Sequence, residues 1–149
     1  MDIGIPIRDL GEIDISPLKE AILAVDDDAW LQNSHRQTTY DVHDQTQSLV
    51  MLFIDTEQWP KLEVTKDTAW ALLSKTATPI IDSILSQFYP PGGTVVRAMA
   101  AKLVSGGVIT PHFDKHPSFH AGHRIHIPIT TNSRVRFMID GRPYKFEVG

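Results

Sequence analysis

The chain has 149 residues, a formal net charge of −4, 42% hydrophobic and 21% charged residues, which suits one folded domain and not a disordered segment. It contains no cysteine, so disulfides, thiolate zinc sites, iron–sulfur clusters and a cysteine nucleophile are excluded. The acidic balance gives no broad basic surface for nucleic acid, and the longest apolar run, Leu49–Ile54, is far too short to span a membrane. No charged segment followed by a long apolar core opens the chain, so no signal peptide is visible and a soluble cytoplasmic protein is expected.

Ser16-Pro17 predicts a helix with Ser16 as N-cap and proline in the first turn, its inner face carrying Leu18, Ala21, Ile22 and Val25. A short helical turn is expected over Asp26–Leu31, where the acids complement the helix dipole. Gln37–Val42 and Ser48–Ile54 read as strands joined by the polar stretch His43–Gln47. The clearest helix starts near Asp67, with Trp70, Leu73, Ile80, Ile81, Ile84, Leu85 and Phe88 recurring at three- and four-residue steps. Pro79 is expected to kink or break it, and Tyr89-Pro90-Pro91-Gly92-Gly93 to end it.

Beyond Gly93 the pattern turns to short strands: Thr94–Val104, Val108–His112, Arg124–Thr130, Arg134–Ile139 and Tyr144–Val148. Ser105-Gly106-Gly107, a His-rich loop, Thr131-Asn132-Ser133 and Asp140-Gly141 separate them. The expectation is one domain over residues 1–149. Residues 1–93 supply helices and two strands, packed on a mainly β core of residues 94–149 of sandwich or barrel type.

Histidine carries the chemical signal, because five of the seven (His112, His116, His120, His123 and His126) fall within 15 residues. In Pro111-His112-Phe113-Asp114, residues i and i+2 of an extended segment project to one side. An imidazole and a carboxylate there are two of the three ligands of a 2-His-1-carboxylate iron site. On its own an H-x-D is weak, since a His-rich stretch contains one by chance. His112, His116 and His120 would align on a helix, but Pro111 and Pro117 make this a loop. His116, His120 and His123 are therefore expected to face solvent. Asp26-Asp27-Asp28 lacks the glycine and spacing of a calcium loop. Trp30, Trp59 and Trp70 read as packing residues, and Arg134 and Arg136 as a solvated face. Arg97 and Lys102 flank the first core strand, within reach of a cavity.

Arg97–Asp114, with its Gly turn and P-H-x-D ending, and Arg124-Ile125-His126-Ile127-Pro128 together resemble the aspartyl/asparaginyl β-hydroxylase family of 2-oxoglutarate-dependent dioxygenases. Trp30, Arg36 and Asp44–Leu49 fit more loosely, so the likeness covers residues 94–148 and, less closely, 28–54. It implies a double-stranded β-helix (jelly roll) and Fe(II) bound by His112 and Asp114. It also implies that Arg124 and His126 meet carboxylates of 2-oxoglutarate or substrate. The plain alternative pairs Arg124 with a core carboxylate and leaves His126 a packed barrel histidine. The implied activity is hydroxylation of an aspartyl, asparaginyl or prolyl amino-acid or peptide substrate, with no nucleic acid or membrane partner.

The family's third ligand is a histidine on a later strand, followed by an arginine that anchors 2-oxoglutarate. No histidine follows His126 here, and five candidate strands follow Gly93 where a jelly roll uses about eight. A segment of a longer enzyme is expected, since missing closing strands leave sheet edges open. The alternatives are a non-catalytic jelly-roll binding module without a complete metal site, or a cupin-type metalloenzyme that uses no 2-oxoglutarate.

Overall fold

A computed structural model of the chain describes residues 3–32 and 45–149. The expected strand Gln37–Val42 and the residues Arg36 and Asp44 lie outside them. Helix α1 spans Ser16–Leu23, and Pro17 occupies its first turn. Ser16 does not cap it, contrary to expectation: the Asp14 carboxylate accepts the Ser16 amide at 2.9 Å. Hydrogen bonds from the Ser16 side chain and backbone hold the Asp14 carboxyl below its ordinary pKa. Helix α2 (Asp27–Gln32) opens where Asp26 accepts the Ala29 amide at 2.8 Å, and it buries Trp30.

Strand β1 (Thr46–Ile54) is the centre of a three-stranded antiparallel sheet of order β2-β1-β3, with β2 at Val64–Lys66 and β3 at Arg97–Leu103. Thr46 pairs with Leu103 and Phe53 with Arg97, the register shifting between Val50 and Leu52. At that irregularity the Met51 and Val50 carbonyls accept the amides of Asp67 and Ala69 at 2.9 and 3.1 Å. Helix α3 (Trp70–Phe88) is thereby stitched to the sheet. Its stripe of Leu73, Ala77, Ile80 and Ile84 is buried and joins Leu18, Ile22, Trp30, Leu49 and Met51 in the core. The helix runs through Pro79 instead of breaking there. Pro79 and Lys75 both sit on the exposed face, so water can satisfy the Lys75 carbonyl that loses its amide partner.

Strands β4 (Phe137–Ile139) and β5 (Arg142–Tyr144) form a separate antiparallel hairpin. Asp140 and Gly141 turn it with φ of 49° and 73°, the left-handed pair that a two-residue hairpin turn requires. The protein is thus mixed α/β, with three helices and small antiparallel sheets of three and two strands among the described residues. The mainly β expectation is corrected, and no closed barrel or jelly roll is formed among these residues.

The expected strands Val108–His112 and Arg124–Thr130 are irregular, and the last two shrink to β4 and β5. Among the described residues their alternating apolar side chains meet no opposing sheet: Val108 is 63% exposed, and Ile109, Ile125, Val135 and Val148 are exposed as well. Between Leu85 and Gly149 the one buried residue is Ser118. Ile127 and Ile129 still pack against the core, while Gly149 accepts from Ile13 and donates to Pro128, each at 3.0 Å. No helix among the described residues is long and apolar enough to cross a membrane.

Candidate functional site

The Gly turn after β3 launches the H-x-D segment. Gly107 donates to the Val104 carbonyl at 2.9 Å. A Cβ at Gly107 would lie 2.9 Å from that oxygen, so only glycine closes this turn without displacement. The Gln45 side chain accepts the Val108 amide at 2.9 Å and its carbonyl the Val104 amide at 3.0 Å. Both bonds tie the turn to the strand entering the sheet.

Within H-x-D, His112 Nδ1 lies 2.8 Å from the Thr110 carbonyl. A carbonyl only accepts, so Nδ1 donates and the neutral ring carries its lone pair on Nε2. Phe113, between the two polar residues, is 88% exposed. The Asp114 carboxylate is paired with the Arg124 guanidinium, their side chains 25% and 53% exposed. The H-x-D and R-x-H motifs are therefore brought together through one member of each. The carboxylate that Arg124 meets is partly exposed and is itself the expected metal ligand.

Arg124 also lies over the Phe119 ring at 5.2 Å, and Arg97 over the same ring at 4.2 Å and over Phe53 at 5.1 Å. Cation–π attraction thus links the ion pair to the face of the three-stranded sheet. His126 instead enters an aromatic cluster, its ring 5.0 Å from Phe137 and 5.8 Å from Phe146. One side of the ring stays open to solvent, but the crowding of the other, and secondarily the Arg124 cation, lowers its pKa from the ordinary 6.5. It is the neutral imidazole that this environment favours.

Ser118, 3% exposed, organises the loop between the motifs. It sits in the 3-10 turn Pro117–Phe119, with His116 capping the turn. Arg97 donates to the Ser118 hydroxyl at 2.8 Å, and that hydroxyl lies 2.8 Å from His116 Nδ1. His116 Nε2 lies 3.3 Å from the Thr56 carbonyl, so Nε2 donates and Nδ1 accepts from Ser118. The hydrogen bonds run from Arg97 through Ser118 and His116 to the accepting Thr56 carbonyl. Trp59 packs edge-on to His116 at 5.9 Å.

His116 is thus half-buried and tethered, where the sequence reading placed it in solvent. His120 and His123 are exposed as expected, with His123 Nδ1 3.1 Å from the Tyr89 hydroxyl. Lys102 lies over the Trp30 ring at 4.6 Å. Arg134 and Arg136 are exposed, Arg136 donating to the Ser133 carbonyl at 2.8 Å.

Ser118 and Phe119 escaped the sequence reading. The signal available for them is proline followed by a serine and an aromatic between two histidines, a tight turn with polar and apolar arms. No group of three or more histidine or acidic side chains suited to a metal ion exists among the described residues. Compared with protein-family models, with curated proteins and with solved structures, the chain matches none.

Proposed function

We propose that this chain carries part of the site of an Fe(II)- and 2-oxoglutarate-dependent dioxygenase of the aspartyl/asparaginyl β-hydroxylase kind. The proposed reaction is hydroxylation of an aspartyl, asparaginyl or prolyl amino-acid or peptide substrate. The observation that carries the reading is the pairing of Asp114 with Arg124, which unites the two motifs behind the resemblance across ten residues of sequence. Residues 94–149 would then belong to a jelly roll, with the exposed Val108, Ile109 and Ile125 on an apolar face of the kind that packs against another surface.

The donor set fits two of the three protein positions of such a site. Nδ1 of His112 is held by the Thr110 carbonyl, the arrangement in which a backbone carbonyl orients a metal-binding imidazole. Asp114 adds a carboxylate, and the N,O pair suits ferrous iron. Bound iron would supply dioxygen activation coupled to the decarboxylation of 2-oxoglutarate to succinate. The protein's own residues bind and orient. Arg124 offers a planar fork matched to a carboxylate. His126 sits beside it, with Phe137 and Phe146 keeping water from one side of its ring.

The test is iron-dependent conversion of 2-oxoglutarate to succinate by the full chain. Succinate that requires iron and is lost in Asp114→Ala is the expected result. A second reading, a non-catalytic binding module, is favoured by the lack of a three-donor group among the described residues. Binding of 2-oxoglutarate with no conversion would select it.

A further inference from the structure

The chain is acidic overall, yet residues 134–145 hold Arg134, Arg136, Arg142 and Lys145 against the single acid Asp140. Strands β4 and β5 pair Phe137 with Tyr144, and one further step of that register sets Arg136 opposite Lys145. Like charges directly opposed across a hairpin repel. Both residues line a solvent-facing cavity of about 280 Å³, whose wall also includes Asn132, Val135, Pro143 and Tyr144 and no acidic residue. We propose that this cavity binds a carboxylate carried on a short carbon stem, from a free dicarboxylate or an acidic peptide side chain. None of its lining residues belongs to the H-x-D or R-x-H motif, so the inference does not depend on the dioxygenase reading.

The polar wall is rich in donors. Arg136 Nη1 donates to the Ser133 and Val135 carbonyls at 2.8 and 3.1 Å. These bonds fix the guanidinium, while Nη2 and Nε hydrogen-bond nothing among the described residues and can take a carboxylate side by side. The Asn132 side-chain oxygen accepts the Arg134 amide at 2.9 Å, so its NH2 is the group left to donate, and Tyr144 adds a hydroxyl. Lys145 pairs with Glu147, their side chains 72% and 73% exposed. An ion pair in that setting contributes little and yields to an incoming anion. Val135 and Pro143 give the cavity an apolar side that suits a carbon stem and does nothing for inorganic phosphate. A volume just below the roughly 300–1,000 Å³ of a drug-sized site limits the ligand to a few carbons.

Amide NMR shifts of Arg136, Tyr144 and Lys145 test this as succinate, or a capped Gly-Asp-Gly peptide, is added to the full chain. Saturable shifts at these amides are expected. Succinamide keeps the stem without the charge and phosphate the charge without the stem; each should bind at least about fivefold more weakly than succinate. Arg136→Gln should weaken succinate binding about fivefold and Glu147→Gln, which frees Lys145, should tighten it about threefold, the span of an exposed ion pair. Arg142→Gln removes an equal charge from the hairpin outside the cavity wall and should change affinity by less than about twofold.

Saturation by succinate alone would make the ligand a free dicarboxylate, and by the peptide alone an acidic side chain; either result keeps the site. No saturable shift with either, or shifts confined to residues 112–126, would overturn it. So would succinamide or phosphate binding as tightly as succinate, unaltered affinity in Arg136→Gln or Glu147→Gln, or an equal loss in Arg142→Gln. Thermal melts of all variants confirm that folded protein is compared.

Discussion

The two halves of the molecule are held by different physics. In the first, β1 and α3 bury Leu49, Met51, Ile54, Leu73, Ala77, Ile80 and Ile84, and stability follows from apolar area removed from water. In the second, Ser118 is the one buried residue beyond Ile84, and directed contacts take over: the donor chain through Ser118 and His116, the Asp114–Arg124 pair and the His126–Phe137–Phe146 cluster. The candidate site lies wholly in this second half. Its geometry therefore depends on a few groups, each replaceable without dismantling the core.

The sharpest way to break the contrast is Leu73→Ala, at a residue 1% exposed. It should lower stability by about 3 kcal/mol, read from urea unfolding, because a filled core site becomes a cavity. Ser118→Ala should cost less, about 2 kcal/mol, since Arg97 and His116 lose a shared hydrogen-bond partner in a half-buried setting. Its signature is local: amide exchange should accelerate over residues 114–120 and leave α3 protected. Equal acceleration in both places would show that the halves unfold as one.

A finer probe is pH. His126 has its pKa lowered in the folded state, so between that pKa and its ordinary 6.5 the unfolded chain binds more protons. Its contribution to stability is full above that pH and is lost as pH falls from 6.5 toward the folded pKa. His126→Gln should flatten this part of the stability–pH curve, and Phe137→Ala should move the His126 NMR titration back toward 6.5. The smallest effect is reserved for Phe113→Ser. At 88% exposure it should alter stability by no more than about 0.5 kcal/mol in the same urea experiment.

What could be read from sequence follows the same division. Helices α1, α2 and α3 and strands β1 and β3 were legible because their apolar spacing coincides with real burial. Asp140-Gly141 was legible because its turn demands positive φ. Pro79 misled, since its cost depends on whether the orphaned carbonyl faces water. Strand β2 was invisible: three residues paired at the sheet edge make no periodic pattern. Val108–His112 and Arg124–Thr130 have strand-like alternation but no strand partner among the described residues, and alternation alone cannot supply one. At the site, the H-x-D spacing offered His112 and Asp114 as candidates, and the family resemblance implied a role for Arg124 and His126. The meeting of Asp114 with Arg124, and the part played by Ser118, arise from tertiary contacts that no local pattern encodes.

The most direct measurement of the central claim is an anaerobic titration of the full chain with Fe(II) in the presence of 2-oxoglutarate, followed in the visible spectrum. The account predicts a weak charge-transfer band from the chelate that saturates with iron and is missing in Asp114→Ala. A featureless spectrum in the native chain, or a band that survives loss of the Asp114 carboxylate, would contradict it.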